Sequence, residues 1–157
     1  MTVFRNQVTK TRPANTTAYA VNDVIADDTT SLWTFSGVAR NKKGATGLVT
    51  NASLIIDSAE STALQAELFL FHSTVGLDAD NATDTITDAE MKTCVGRVSF
   101  YTGITTTNQT IYDVRPNIQF TCGPDDQDLY GILLAKNAYT PVSGEVLDII
   151  IEGIILR

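Results

Sequence analysis

Apolar stretches of about six to ten residues recur along this chain, separated by clusters of Gly, Asn, Asp and Pro. Threonine, valine, isoleucine and the aromatics dominate these stretches, and they suit a pleated, half-buried surface. The pattern predicts strands near 18–25, 32–40, 47–57, 63–72, 95–101, 111–114, 118–121, 129–137 and 145–156. In LQAELFLFHS, alternation puts Leu64, Ala66, Leu68, Leu70 and His72 on one face. Gln65, Glu67, Phe69, Phe71 and Ser73 take the other. The segments KKGATG (42–47) and GPDDQD (123–128) read as turns. One helix signal interrupts the strands. In TDAEMKTC, Thr87 can cap a short helix over 88–93 while Glu90 reaches back to its backbone. Many short strands with one helix in a long loop predict an all-β fold, an antiparallel sandwich or barrel.

The two ends of the chain differ. The first dozen residues carry Arg5, Lys10 and Arg12 and no acid, and Pro13 follows. That reads as a basic N-terminal arm over 1–16, ahead of a β domain over 17–157, with the three cations as candidate contacts to a partner. At the other end VLDIIIEGIILR is apolar almost to its last residue, which predicts a final strand inside a sheet.

Composition narrows the function classes. With 157 residues, 43% of them hydrophobic, the chain suffices for one core. A net charge of −7 disfavours nucleic acid and anionic lipid as partners. No apolar run approaches the roughly 20 residues that span a bilayer, and the N-terminus lacks the apolar core of a signal peptide. The expectation is therefore a soluble chain made in a cytoplasm. On that ground the four N-x-[ST] matches, at Asn15, Asn51, Asn81 and Asn108, are read as unglycosylated. Cys94 and Cys122 have no motif spacing and read as buried free thiols, with a bridge between them left open.

Candidate chemistry is sparse. His72, the one histidine, stands at a strand end, and no G-x-S-x-G or other nucleophile motif accompanies it. A single histidine and two cysteines make a poor zinc set. The densest carboxylate cluster is DADNATDTITDAE, in which Asp78, Asp80 and Asp84 are weak candidates for a calcium site. EF-hand spacing fails there: counting from Asp78, the sixth position is Thr83 and the twelfth is Ala89. A solvated acidic loop is the simpler reading, with Asp88 and Glu90 suited to a helix start. Phosphate-binding loops are absent. Trp33 shares a strand face with Phe35 and reads as core, with an exposed sugar-stacking platform as the alternative. Neither a catalytic residue nor a cofactor is predicted.

Several segments together resemble small virion proteins of tailed bacteriophages, of the capsid decoration or cement type. They are TAYAVNDVIA, GLVTNASLIID, ALQAELFLFHS, TDAEMKTCVGRVSF and LYGILLAKNAYTP, followed by the closing apolar strand. The resemblance runs from about Ala18 to the end. It implies a jelly-roll-like sandwich, often a homotrimer, bound to the major capsid protein on the outer face of the virion and stabilising capsomer junctions. Two other roles fit the residues: a carbohydrate- or receptor-binding sandwich, and a tail or connector component.

Overall fold

The computed structural model describes residues 1–40, 42–59 and 63–156. In chain order the elements are β1 (Thr2–Thr11), β2 (Trp33–Phe35), β3 (Thr46–Ile56), β4 (Ala66–Phe71), α1 (Asp88–Met91), β5 (Cys94–Phe100), β6 (Ile104–Thr105), β7 (Thr110–Val114), β8 (Ile118–Thr121), β9 (Leu129–Ala135) and β10 (Val146–Ile155). They form two antiparallel sheets. The larger has the order β1-β10-β3-β7-β6, with β8 also on β3, and the smaller has the order β2-β9-β4-β5.

Chain order and sheet order together define the fold. The first four long or paired segments alternate between the sheets, and the last two return to complete them. β10 inserts between β1 and β3, while β9 inserts between β2 and β4. If β7 and β8 are taken as one interrupted strand, eight strands divide into two interleaved four-strand sheets. That is a jelly roll. The interruption is Arg115-Pro116-Asn117, where Pro116 cannot donate to a ladder and Asn117 turns at φ 51°. β7 then pairs with Ala52–Ile56 of β3, and β8 with Thr46–Val49.

Alternation builds the core between the sheets. β10 is buried at every second residue along its whole length. Leu147, Ile149, Ile151 and Ile155 from β10 meet Val49, Leu54 and Ile56 from β3, and across the gap Leu68, Leu70, Val98 and Leu133. Phe4 packs edge-on against Phe120 at 5.9 Å, and Phe100 against Tyr112 at 6.2 Å. Each such side chain contributes about 1.5–3 kcal/mol on burial. The smaller sheet also has an outer core. Phe71, Ile132 and Leu134 are covered by Val24 and Ala26 from one loop and by Leu77 and Ile86 from another. β4 is therefore buried on both faces, whereas no segment among the described residues covers the outside of the larger sheet.

Most of the segment read as a basic N-terminal arm over 1–16 is strand. Thr2–Thr11 pairs in unbroken register with Val146–Ile155 and is a full strand of the sandwich. Its inward row is Phe4, Asn6, Val8 and Lys10, so two polar residues occupy core-facing positions. The expected strands at 18–25 and 32–40 also shorten. Val24 forms a single bridge to Leu134, and β2 pairs with Leu129–Gly131 farther along β9. The intervening Asp27–Ser31 loop interrupts this strand, because the Asp27 carboxylate accepts the N–H groups of Thr29 and Ser31 and turns the chain.

The candidate functional site: surfaces and buried polar clusters

The three N-terminal cations separate. Lys10 is buried, and its Nζ donates to Asp27 Oδ2 at 2.7 Å and Ser31 Oγ at 2.6 Å, over the Trp33 ring. Arg12 is also buried. Its Nη2 donates to Asp80 Oδ2 at 3.1 Å, its Nε to the Tyr19 hydroxyl, and its guanidinium lies 4.7 Å from the Tyr19 ring centre. Folding thus places both of these candidate contact residues inside the chain, with their charges on Asp27 and Asp80. Only Arg5 is exposed, in an ion pair with Glu152 at 3.0 Å.

The acidic loop is spent locally too. Asp80 also accepts from the Tyr19 hydroxyl at 2.6 Å and from the Ala26 N–H at 3.0 Å. Asp78 accepts from the Thr85 N–H and hydroxyl, both at 2.8 Å, and Asp84 from the Ile86 N–H at 3.1 Å. These three carboxylates do not converge, and among the described residues no group of three His, Cys, Asp or Glu side chains is placed to hold a metal. Burial together with Asp78 and Glu90 pushes the Asp84 carboxyl up. The capping box forms as the sequence indicates, with Glu90 N–H donating to Thr87 Oγ1 and the Glu90 carboxylate accepting from the Thr87 N–H.

His72 follows the last residue of β4. Its Nδ1 lies 2.8 Å from Ser73 Oγ, and its backbone N–H donates to the Thr93 carbonyl. Ser73 is its own chain neighbour, so the contact is local and builds no triad with an orienting acid. Cys94 and Cys122 are free thiols. Burial raises both, and Cys122 is pushed up to about 11 by burial and by Asp126 and Asp128, which disfavours the reactive thiolate. Trp33 is 1% exposed and donates to the Ile25 carbonyl at 3.3 Å. It is a core residue, unavailable for stacking on a sugar.

Two polar clusters were not visible in the sequence. Glu145 is buried and accepts from the Tyr139 hydroxyl at 2.6 Å and the Ser58 hydroxyl at 2.5 Å; burial pushes its carboxyl up despite these bonds and Arg12. Glu67 lies under Tyr101, with Arg97 and Lys136 each 3.5 Å away. Burial raises its carboxyl, but the Tyr101 hydroxyl and the two cations outweigh that and hold it low. Both clusters join segments distant in sequence, and no local pattern marks them.

The exposed chemistry is on the bare face of the larger sheet. Cross-strand partners share a face. One row runs Val3–Ile154–Leu48 and another Ile104–Ile111–Ile55. Val3 is 66% exposed and Ile104 is 73% exposed. Arg5 and Glu152 lie between the rows, and the second row continues into Asp148, which accepts from Gln7 and Thr9. A shallow hollow beside the first row is lined by Val3, Arg5, Arg40, Thr50 and Glu152.

The geometry places the chain among the jelly-roll sandwiches. No protein-family model and no curated protein matches it. Solved structures similar to it include the coat protein of Tobacco streak virus, at 14% identity over 97% of this chain and 89% of that one, with a TM-score of 0.30. The native virion of Kashmir bee virus matches at 11% identity over 96% and 70%, with a TM-score of 0.31. Israeli acute paralysis virus matches at 12% identity over 100% and 69%, with a TM-score of 0.28. At these values the likeness is partial.

Proposed function

We propose that this protein is a structural component of a virion, a decoration or cement protein that binds the outer surface of a capsid, and that it acts through contact area without catalysis. The observation that carries the reading is the interleaved order of the two sheets, β1-β10-β3-β7 and β2-β9-β4-β5. Jelly rolls of this kind build viral shells and also lectins. Two further features favour the first. Five of the six segments that resemble phage decoration proteins coincide with β3, β4, β5, β9 and β10, which supply much of the core, while the sixth, at 17–26, forms only isolated bridges. The aromatic side chain on which a sugar platform would depend, Trp33, is buried.

The partner is the major capsid protein, and the working form is a homo-oligomer, a trimer in the form the resemblance implies. The bare face of the larger sheet, with its isoleucine rows and the exposed Arg5, is the surface offered to it. A stable contact buries about 1,200–2,000 Å². A protein bridging two capsomers adds that contact to the work of separating them, and many copies on one shell multiply weak contacts. The test is to compare particles with and without this protein during heating. Particles lacking it are expected to release their contents at a lower temperature, and adding it back restores the difference. Equal release temperatures, or localisation to the tail by electron microscopy, would refute the proposal.

A further inference from the structure

The geometry points to β1 as a self-pairing edge, through which two copies of this chain join their larger sheets about a two-fold axis. The Arg12 N–H donates to the Glu145 carbonyl at 2.9 Å, which fixes the phase of the β1–β10 ladder. Antiparallel pairs alternate between bonded and non-bonded, so Lys10, Val8, Asn6 and Phe4 also direct their N–H and C=O groups to β10. Val3, Arg5, Gln7, Thr9 and Thr11 direct theirs away from it. Among the described residues none of these five N–H groups meets an acceptor. On the inner side Asn6 Nδ2 donates to the Ser36 carbonyl at 2.7 Å, and Arg40 comes beside Val3 and Arg5 at the N-terminal end of the strand.

Sheet edges are normally blunted by shortness, charge, proline or a bulge. The other edges follow that rule. β2 has three residues and β6 has two. β5 pairs with β4 through a register shift and abuts β8, where a Cβ on Gly96 would fall 2.7 Å from Ile118. β1 is the exception. It has ten residues, no proline, no register shift and one exposed charge, Arg5, already paired with Glu152. The charge of Lys10, which would guard the edge if exposed, is held inside by Asp27.

A second copy fits this edge by its own symmetry. In antiparallel pairing centred on Gln7, Val3 lies opposite Thr11 of the second copy, Arg5 opposite Thr9, and Gln7 opposite Gln7. No like charges face each other. The parity is also right: all five outward N–H groups of each chain meet outward carbonyls of the other, as in β-augmentation. The contact belongs to the isolated chain and does not rest on the capsid reading; if trimers form as proposed, it pairs them.

Sedimentation across a concentration series at ~0.15 M salt, where charges beyond about 8 Å are screened, combined with amide exchange resolved by residue, tests this. The expected species is a dimer, or a hexamer of paired trimers. In it the amides of Val3, Arg5, Gln7, Thr9 and Thr11 exchange as slowly as those of Phe4, Asn6, Val8 and Lys10. Gln7→Pro deletes a central outward N–H while sparing those that bond β10; it is expected to weaken association and return the remaining outward amides to fast exchange. A monomer at every concentration overturns the inference. So does an assembly in which the outward amides exchange freely, or a folded Gln7→Pro protein that associates unchanged. Should Gln7→Pro not fold, the amide pattern of the unaltered protein decides alone.

Discussion

Arg12 has a demanding position. It is a buried cation whose partners are Asp80 and Tyr19, and its Nη1, like Oε2 of the nearby Glu145, has no hydrogen-bond partner among the described residues. Removing one member of such a set leaves the other charge buried and alone. Arg12→Ala is therefore expected to cost about 3–5 kcal/mol in a denaturant titration. Arg12→Lys recovers only part of that, because an ammonium cannot bond Asp80 and Tyr19 in one plane. The carboxylates give a second prediction, with opposite signs at two sites. Burial raises Asp27, but the bonds from Lys10, Thr29 and Ser31 reverse this and hold it well below its usual 3.8. Its stabilising contribution is complete above that value and is lost as pH falls through it toward the folded value. Glu145 is raised by burial above its usual 4.5, so its ionisation costs stability as pH rises through that region. The stability gap between unaltered protein and Asp27→Asn should grow with rising pH, and that for Glu145→Gln should shrink. Unfolding curves from about pH 3 to 7 check both, and slopes of the same sign would contradict the account. None of this was legible in the sequence. Arg12 and Asp80 are 68 positions apart, and a buried cation looks the same in one dimension as a solvated one.

At the scale of elements, legibility followed the number of apolar residues on the buried face. β3, β4, β9 and β10 carry long apolar stretches, and their positions emerged from apolar runs bounded by turn residues. α1 emerged from its capping box, Thr87 and Glu90. β1 did not, because its inward row mixes Phe4 and Val8 with Asn6 and Lys10, and its basic residues suggested an arm. The run at 18–25 has strand composition, yet its bonds go mainly to isolated bridges, since the Asp27–Ser31 loop separates it from β2. One element junction carries a sharp steric demand. β3 and β10 shift register between Glu152 and Gly153, and a Cβ on Gly153 would stand 2.0 Å from the Leu48 carbonyl oxygen and 2.7 Å from the Phe4 ring. Gly153→Ala is expected to lose about 1–3 kcal/mol through forced backbone shifts, measured by thermal unfolding. An unchanged melting temperature would mean that the three strands do not approach this closely. Trp33→Ala should likewise lower stability by about 3–5 kcal/mol, as a core truncation does.

On the scale of the whole molecule, the two faces of the sandwich differ in kind. Two loops seal the outside of the smaller sheet with a second apolar cluster, and the 73–93 loop is anchored there by Asp80 to Arg12. The larger sheet is left bare, with isoleucine rows on its face and an unblunted strand at its edge. Under the proposed function, contact falls on that bare side. The sequence conveyed the acidic, all-β character and the lack of a catalytic motif, but not which face was sealed, because that depends on how loops fold back over strands. Substitutions on the sealed face, such as Leu77→Ala or Ile86→Ala, should affect stability. Substitutions on the bare face, such as Ile104→Lys or Ile111→Lys, should leave melting unchanged and alter association.

The most direct measurement is to mix purified protein with capsids that lack it and to count bound copies by sedimentation and electron microscopy. The account predicts saturable binding at a fixed set of capsomer junctions on the outer surface, weakened by Ile104→Lys and Ile111→Lys in a protein that melts normally. Shells that remain bare at every concentration of protein would contradict it.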